Sequence, residues 1–343
     1  KPNRKFNAKV LTSVQDEYPE TVPFSPAGPN DGIEIEVNDA ASLLMVRANV
    51  DDNTVGLGLT SPSGKRYGSS IALPVLGQNI AVTAPAEAGT WILKAHGIGG
   101  ISGVDVDPAG VTNGYAAPGN IDVTVKLLQT DGFEGIDDVA NHPARSFVEF
   151  AVSEQLVDAK SKGFRPDNLL QRQELADYLT MGAGVRQSHN ATAHSFLDVN
   201  KLQGAIAAVT ESGSALRNRA QDQAPVMLAN GDFFNPKSTV SKTDLAYSLV
   251  QAMALQTNAD AFSGDMTAIF NGERVAIKDQ GTVPADMRGY VQLALDLGIL
   301  TARFAVEQGP YDLEPTVVAY FEGDASVTRA DYAVAVTRFY NNY

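Results

Sequence analysis

Three short stretches set a cation, an acid and an apolar residue at fixed spacing: Gln171-Arg172-Gln173-Glu174-Leu175, Ser241-Lys242-Thr243-Asp244-Leu245 and Thr328-Arg329-Ala330-Asp331-Tyr332. Ser241 and Thr328 carry the hydroxyl of a good helix N-cap, and Asp244 and Asp331 stand three positions on, where a capping-box acid reaches back. Glu174 holds the same place in the first stretch, and an acid in the first turn also suits the helix dipole. A cap needs the hydroxyl and the acid but not a cation between them. Arg172, Lys242 and Arg329 therefore have charge chemistry left over that helix initiation does not use.

The elements around these stretches recur with them. Phe147, Phe150 and Ala151, then Leu202, Ala205, Ile206 and Val209, then Tyr290, Leu293, Ala294 and Leu297 fall at helical spacing, so an amphipathic helix precedes each motif. The motif helices bury Leu175, Tyr178 and Leu179, Leu245 and Leu249, and Tyr332, Ala335, Val336 and Phe339. Between the two helices, Gly163-Phe164-Arg165-Pro166 answers Asp232-Phe233-Phe234-Asn235-Pro236. A recurring helix pair signals an array in which one unit cannot bury its own apolar face.

The first third reads differently. Ile33, Ile35 and Val37 alternate with Glu34 and Glu36, and the same period of two runs through Leu44 to Val50, Val55 to Leu59, Ile80 to Val82, Trp91 to Ala95 and Ile121 to Leu127. Ser61-Pro62-Ser63-Gly64 marks a turn. Short strands between turn signals, without helical periodicity, point to an antiparallel sandwich or jelly roll, with Trp91 as an inner core anchor. The expected fold is therefore multidomain, β then α: residues 1–30 as linker or edge segment, 31–131 as a jelly-roll β-sandwich, and helix-pair repeats over 132–188, 189–258 and 259–343.

Composition narrows the function. A net charge of -14 argues against nucleic acid and against adsorption on anionic lipid. No apolar run approaches the roughly 20 residues that span a bilayer, so membrane insertion is not expected. The absence of cysteine excludes disulfides and thiolate metal sites. No nucleophile elbow or phosphate loop appears, so the reading is non-catalytic. Asp105 and Asp107 are the candidate oxygen ligands for calcium, but no calcium-loop spacing is completed, which favours a solvated loop. His189 and His194 lack a carboxylate at ligand spacing, and Asn190-Ala191-Thr192 is a lone glycosylation triplet. With Lys1 first and neither an initiator Met nor a signal peptide, the chain reads as a mature or processed piece.

Two resemblances add to this. Leu59-Thr60-Ser61-Pro62-Ser63-Gly64-Lys65, Val82-Thr83-Ala84-Pro85 and Ala88-Gly89-Thr90-Trp91-Ile92-Leu93-Lys94 resemble the jelly-roll domains, P domain or prepeptidase C-terminal domain, that follow the catalytic domain in secreted subtilisin-like proteases. Residues 133 to 343 resemble three tandem surface-layer homology modules, and that resemblance implies that the helix-pair repeats form a pseudo-threefold bundle. The second resemblance rests on Asp137-Asp138-Val139, Phe196-Leu197-Asp198-Val199, the Phe/Pro loops, Leu297-Gly298-Ile299-Leu300 and Thr328-Arg329-Ala330-Asp331. It implies a secreted, cell-surface protein that binds secondary cell-wall polysaccharide in grooves between modules, with an upstream protease domain as a further expected partner. Carried over, Arg172, Lys242 and Arg329 become the polysaccharide contacts, since a guanidinium can grip a carboxylate through two bonds and lysine acts as a point charge. Glu174, Ser241, Asp244, Thr328 and Asp331 become capping or groove residues. The chain departs from the family in lacking a Trp in the repeats and in spacing its motifs by 70 and 87 residues. A docking, folding or processing module for a protease domain and a self-assembling surface-layer protein remain the alternatives.

Overall fold

The computed structural model describes residues 5–50, 55–68, 79–97, 113–114, 116–186, 196–270, 273–308 and 314–342. Among these, the N-terminal half is rich in antiparallel strands and the C-terminal half is helical, holding six of the seven α-helices.

One four-stranded sheet runs β1 (Lys9–Phe24), β8 (Gly119–Glu134), β3 (Leu43–Asn49), β6 (Asn79–Pro85), and a second runs β2 (Ile33–Val37), β7 (Gly89–Gly97), β4 (Val55–Thr60), β5 (Arg66–Gly68). Register follows the alternation: Val46 pairs with Val82 on one side and Val125 on the other, and Ile35 pairs with Trp91. Leu44, Val46, Val82 and Val125 of the first sheet join Ile35, Leu57, Trp91 and Leu93 of the second in a single buried apolar cluster. Trp91 is fully buried, and its indole N–H donates to Glu87 O at 2.7 Å, so the ring brings no unsatisfied donor into the core. The opening segment, expected as linker or edge, carries the 16-residue strand β1 at a sheet edge, where Pro19 and Pro23 need no ladder partner.

The chain divides into two compact units. The second comprises Val14–Gln129, Ala261–Gly323 and Asn341–Tyr343. It holds the second sheet and most of the first, with α6 (Arg288–Asp296) and two hairpins, β9 (Thr267–Phe270) with β10 (Glu273–Ala276) and β11 (Arg303–Glu307) with β12 (Thr316–Tyr320). Those hairpins lie within 259–343, the stretch whose sequence is read as the third helix pair. The Gln292 side chain of α6 pins the first of them by accepting from Thr267 N at 2.8 Å and donating to Thr267 O at 3.1 Å.

The first unit comprises Lys1–Ser13, Thr130–Asp260 and Asp324–Tyr340. It contains α1 (Arg145–Ser153), α2 (Arg172–Gly182), α3 (Gln203–Thr210), α4 (Lys242–Ala252), α5 (Gln256–Asp260) and most of α7 (Arg329–Asn342). The segments leading into α2, α4 and α7 close a cycle. Leu170 N donates to Val327 O (2.9 Å), Val327 N to Val240 O (3.0 Å), and Val240 N to Leu170 O (3.0 Å). A second cycle lies outside it: Arg172 N to Ser238 O, Lys242 N to Ala325 O and Arg329 N to Asn168 O, each 2.9 Å. Leu170, Val240 and Val327 are buried, so each backbone N–H and C=O placed among them needs a partner, and the neighbouring segment supplies it.

Candidate functional site

The three motifs start helices as their residues dictate. Ser241 Oγ accepts from Asp244 N at 3.0 Å while Asp244 accepts from Ser241 N at 3.4 Å. Thr328 and Asp331 exchange the same bonds at 3.1 and 2.7 Å, and Glu174 accepts from Gln171 N at 3.0 Å. Each motif also has an upstream acid acting on the loop before its helix. Asp138 accepts from Phe164 N and Arg165 N (2.9 and 2.6 Å), Asp198 from Phe234 N and Asn235 N (3.0 and 2.8 Å), and Asp279 from Phe321 N and Glu322 N (2.8 and 2.7 Å). The three phenylalanines are fully buried. The residue after each lies in the left-handed region, at φ 58°, 57° and 60°.

Arg329 departs from the sequence expectation. It is 1% exposed, and its guanidinium turns inward. Nε donates to Phe164 O (2.7 Å), Nη1 to Glu174 Oε1 (3.0 Å) and Tyr178 Oη (2.7 Å), and Nη2 to Asp158 O (2.8 Å). It also lies 4.7 Å from the Phe164 ring centroid. A desolvated guanidinium must be surrounded by acceptors, and here they are all protein, so none of these contacts is presented to a ligand carboxylate. Arg172 repeats the geometry one motif on, lying 4.8 Å over Phe234 with Nε donating to Phe234 O at 2.9 Å. Its burial lowers its pKa, while Asp244 and Asp198 pull the other way. Lys242 is half-buried and bonds through its backbone N to Ala325 O. The cations therefore stand at the helix mouths as expected, but both arginines spend their charge joining one motif to the loop of another.

What faces solvent is a cleft of about 180 Å³ on the outer face of α2. Lys160, Gln173, Glu174, Asp177, Tyr178, Lys201 and Leu202 line it. Glu174 is shared: it pairs with Lys160 and with Arg329, so a carboxylate only 10% exposed is neutralised from two sides. Burial pushes the Tyr178 phenol up to about 12, against the opposing pull of Arg329. Its hydroxyl donates to Asp158 O at 3.0 Å. Leu202, on the opposite wall, is 41% exposed and holds φ 55°, an uncommon conformation for a leucine.

Lys160, Asp177 and Lys201 were not among the residues expected from sequence. A comparison of positions one and five after each motif cation, polar in the first copy and apolar in the third, could have found Asp177 but not Lys160 or Lys201, which lie outside the motif helix. Asp105 and Asp107 lie outside the described residues, as do His189, His194 and the Asn190 triplet. Among the described residues no group of three or more His, Asp or Glu is placed to hold a metal ion, and no helix is long and apolar enough to cross a membrane.

A comparison with curated proteins finds no match. Residues 135–176, the stretch that carries Asp138, α1, the Phe164 loop and the start of α2, match the S-layer homology domain. That module anchors proteins to the cell wall, which supports a surface-tethering role for the chain.

Proposed function

We propose that this chain is a non-catalytic segment that tethers a secreted protein to the cell surface by holding secondary cell-wall polysaccharide. In this reading, three modules of the surface-layer homology type stand around a pseudo-threefold axis. The observation that carries it is the closed hydrogen-bond cycle through Leu170, Val240 and Val327, at equivalent positions of three copies, the first of which lies in the matched stretch. The paired sheets are read as a jelly-roll sandwich of the kind that follows subtilisin-like catalytic domains, and a protease is the cargo. In this reading the polysaccharide contact is the α2 cleft, whose Glu174 and Tyr178 are held from inside by Arg329, while Arg172 and Lys242 stand at the starts of α2 and α4.

Co-sedimentation with purified wall polysaccharide tests this. The chain should pellet with the polymer, and a chain that stays in the supernatant over a wide concentration range rejects the tether. The inward-turned arginines favour one other reading, a module that docks on a protease domain. That module would raise the protease's thermal midpoint on co-expression whether or not polymer is present.

A further inference from the structure

Asparagine is followed by glycine at Asn113, Asn230 and Asn271. In such a pair the backbone nitrogen of the second residue can attack the side-chain amide carbon of the first, and the missing Cβ leaves that approach open. A fold permits the attack where the amide and the following N–H are both unengaged. At Asn113 they are not: its side-chain nitrogen donates to Ser25 O (2.8 Å) and Gly28 O (2.7 Å), and its backbone N donates to Pro26 O (2.7 Å). Gly114 is hemmed in as well, since a Cβ there would lie 2.6 Å from the Gly97 carbonyl. Asn271 and Gly272 lie outside the described residues.

Asn230 is the opposite case. Asn230 and Gly231 are both exposed, and among the described residues neither the Asn230 side-chain amide nor the Gly231 N–H makes a hydrogen bond. No heavy atom lies within 4 Å of the point a Gly231 Cβ would occupy. The pair begins a two-residue turn closed by Asn230 N to Phe233 O (2.9 Å) and Phe233 N to Asn230 O (3.1 Å), with Gly231 at its first central position and φ +56°. The first copy closes the matching turn from Lys160 to Gly163, around Ser161 and Lys162, without such a pair. Both arms of the Asn230 turn hold Arg172. Leu228 O, before it, accepts from Nη2, while Phe234 O, after it, accepts from Nε at 2.9 Å, and the Phe234 ring lies 4.8 Å from the guanidinium.

We propose that Asn230 is a site of spontaneous deamidation and isoaspartate formation, and that the change releases Arg172. The Gly231 nitrogen, having given its proton to water, bonds to Cγ of Asn230. The Cγ–Nδ2 bond breaks, and Nδ2 leaves as ammonia after taking up protons from water. Water then opens the resulting succinimide at either carbonyl, giving aspartate or isoaspartate. Isoaspartate routes the main chain through the side-chain methylene, so the two bonds that close the turn lose their register and the carbonyls that grip Arg172 separate.

The test is to age the folded full chain at pH 7 and pH 9 and to follow isoaspartate peptide by peptide with isoaspartyl methyltransferase labelling. The Asn230 peptide should gain label at least tenfold faster than the Asn113 peptide, and faster at pH 9, where more of the attacking nitrogen is deprotonated. In urea the two should converge, and Gly231→Ala should suppress labelling at Asn230 at least tenfold. The aged fraction, separated by its added negative charge, should unfold at the urea midpoint of Arg172→Ala, and ageing Arg172→Ala should lower its midpoint no further. Asn230→Asp, which has the acid without the rerouted backbone, should keep the parent's midpoint. Equal labelling of Asn113 and Asn230 in the folded chain overturns the site. An aged fraction with the parent's midpoint, or an Asn230→Asp variant as weakened as the aged fraction, overturns the release of Arg172 by the rerouted backbone.

Discussion

The guanidinium of Arg329 sits 4.7 Å from the ring centroid of Phe164 and donates from Nε to the carbonyl of the same residue, 165 positions away in sequence. One side chain thereby ties the start of α7 to the loop before α2, through a ring contact, a carbonyl and the shared carboxylate of Glu174. Removing one partner of a buried ion pair leaves the other charge uncompensated, and Arg329→Ala should therefore cost about 3 kcal/mol. Arg172→Ala, at a half-buried position bonded to carbonyls alone, should cost about 1 kcal/mol. Arg329→Lys should recover little, since an ammonium cannot span Phe164 O, Glu174 and Asp158 O together. Urea unfolding followed by far-UV circular dichroism orders the three variants; equal costs for Arg329→Ala and Arg172→Ala would contradict the lock.

Asp138, Asp198 and Asp279 each accept two backbone N–H groups, and the second donor of each pair is a non-glycine residue at φ near 58°. Glycine reaches that region without the Cβ penalty. Arg165→Gly, at an exposed site where the backbone N–H still meets Asp138, should be neutral or stabilise by up to about 1 kcal/mol. Asp138→Ala should cost about 1–3 kcal/mol by orphaning both donors. Thermal midpoints of the two variants should move in opposite directions or only the second should fall; a large loss for Arg165→Gly would mean that its side chain, not its backbone, holds the loop.

The helix starts were legible because a cap is local: a hydroxyl or amide, then an acid three residues later, is all that Ser241 and Thr328 need. The strands with strict alternation were legible for the same reason. The destination of the cations was not, because it depends on which loop a helix mouth meets in three dimensions. Arg329 finds Phe164 across most of the helical region, and no window of sequence contains both. Two of the Asp–Phe pairs lay in view, Asp138 with Phe164 and Asp198 with Phe234, but unequal insertions between acid and phenylalanine hid the third, Asp279 with Phe321. The largest of these insertions is the β11–β12 hairpin between Asp279 and Phe321.

Gly163 gives a sharper test of the loop geometry. Its φ is +107°, and a Cβ there would lie 2.8 Å from the carboxyl carbon and both carboxylate oxygens of Asp138. Gly163→Ala thus meets backbone strain and displaces the acceptor of two N–H groups, so the cost should be about 2–4 kcal/mol, near the upper range for single substitutions. The companion Gly231→Ala, with open space around the added carbon but φ +56°, should cost only about 1 kcal/mol. Chemical denaturation separates them, and comparable losses at both sites would show that the φ angle, not the Asp138 contact, sets the penalty.

Tyr178 and Tyr332 stack 5.6 Å apart between α2 and α7 and make the first unit sensitive to alkali. Burial raises the Tyr178 phenol to about 12 and that of Tyr332 well above its ordinary value. A raised folded-state pKa means that both states are protonated below pH 9, so the stability it represents is fully present there. Between pH 10 and 12 the unfolded chain releases the proton while the folded chain keeps it, and stability falls by roughly 2–3 kcal/mol for Tyr178 alone. The two hydroxyls differ in one respect: Tyr178 donates to Asp158 O, whereas the buried Tyr332 hydroxyl has no hydrogen-bond partner among the described residues. Tyr332→Phe should therefore stabilise the chain at pH 8 by about 1 kcal/mol, and Tyr178→Phe should destabilise it by a similar amount, with the alkaline loss reduced in both. Urea midpoints at pH 8 and pH 11 read all four quantities, and a Tyr332→Phe variant less stable than the parent at pH 8 would show that this hydroxyl is engaged after all.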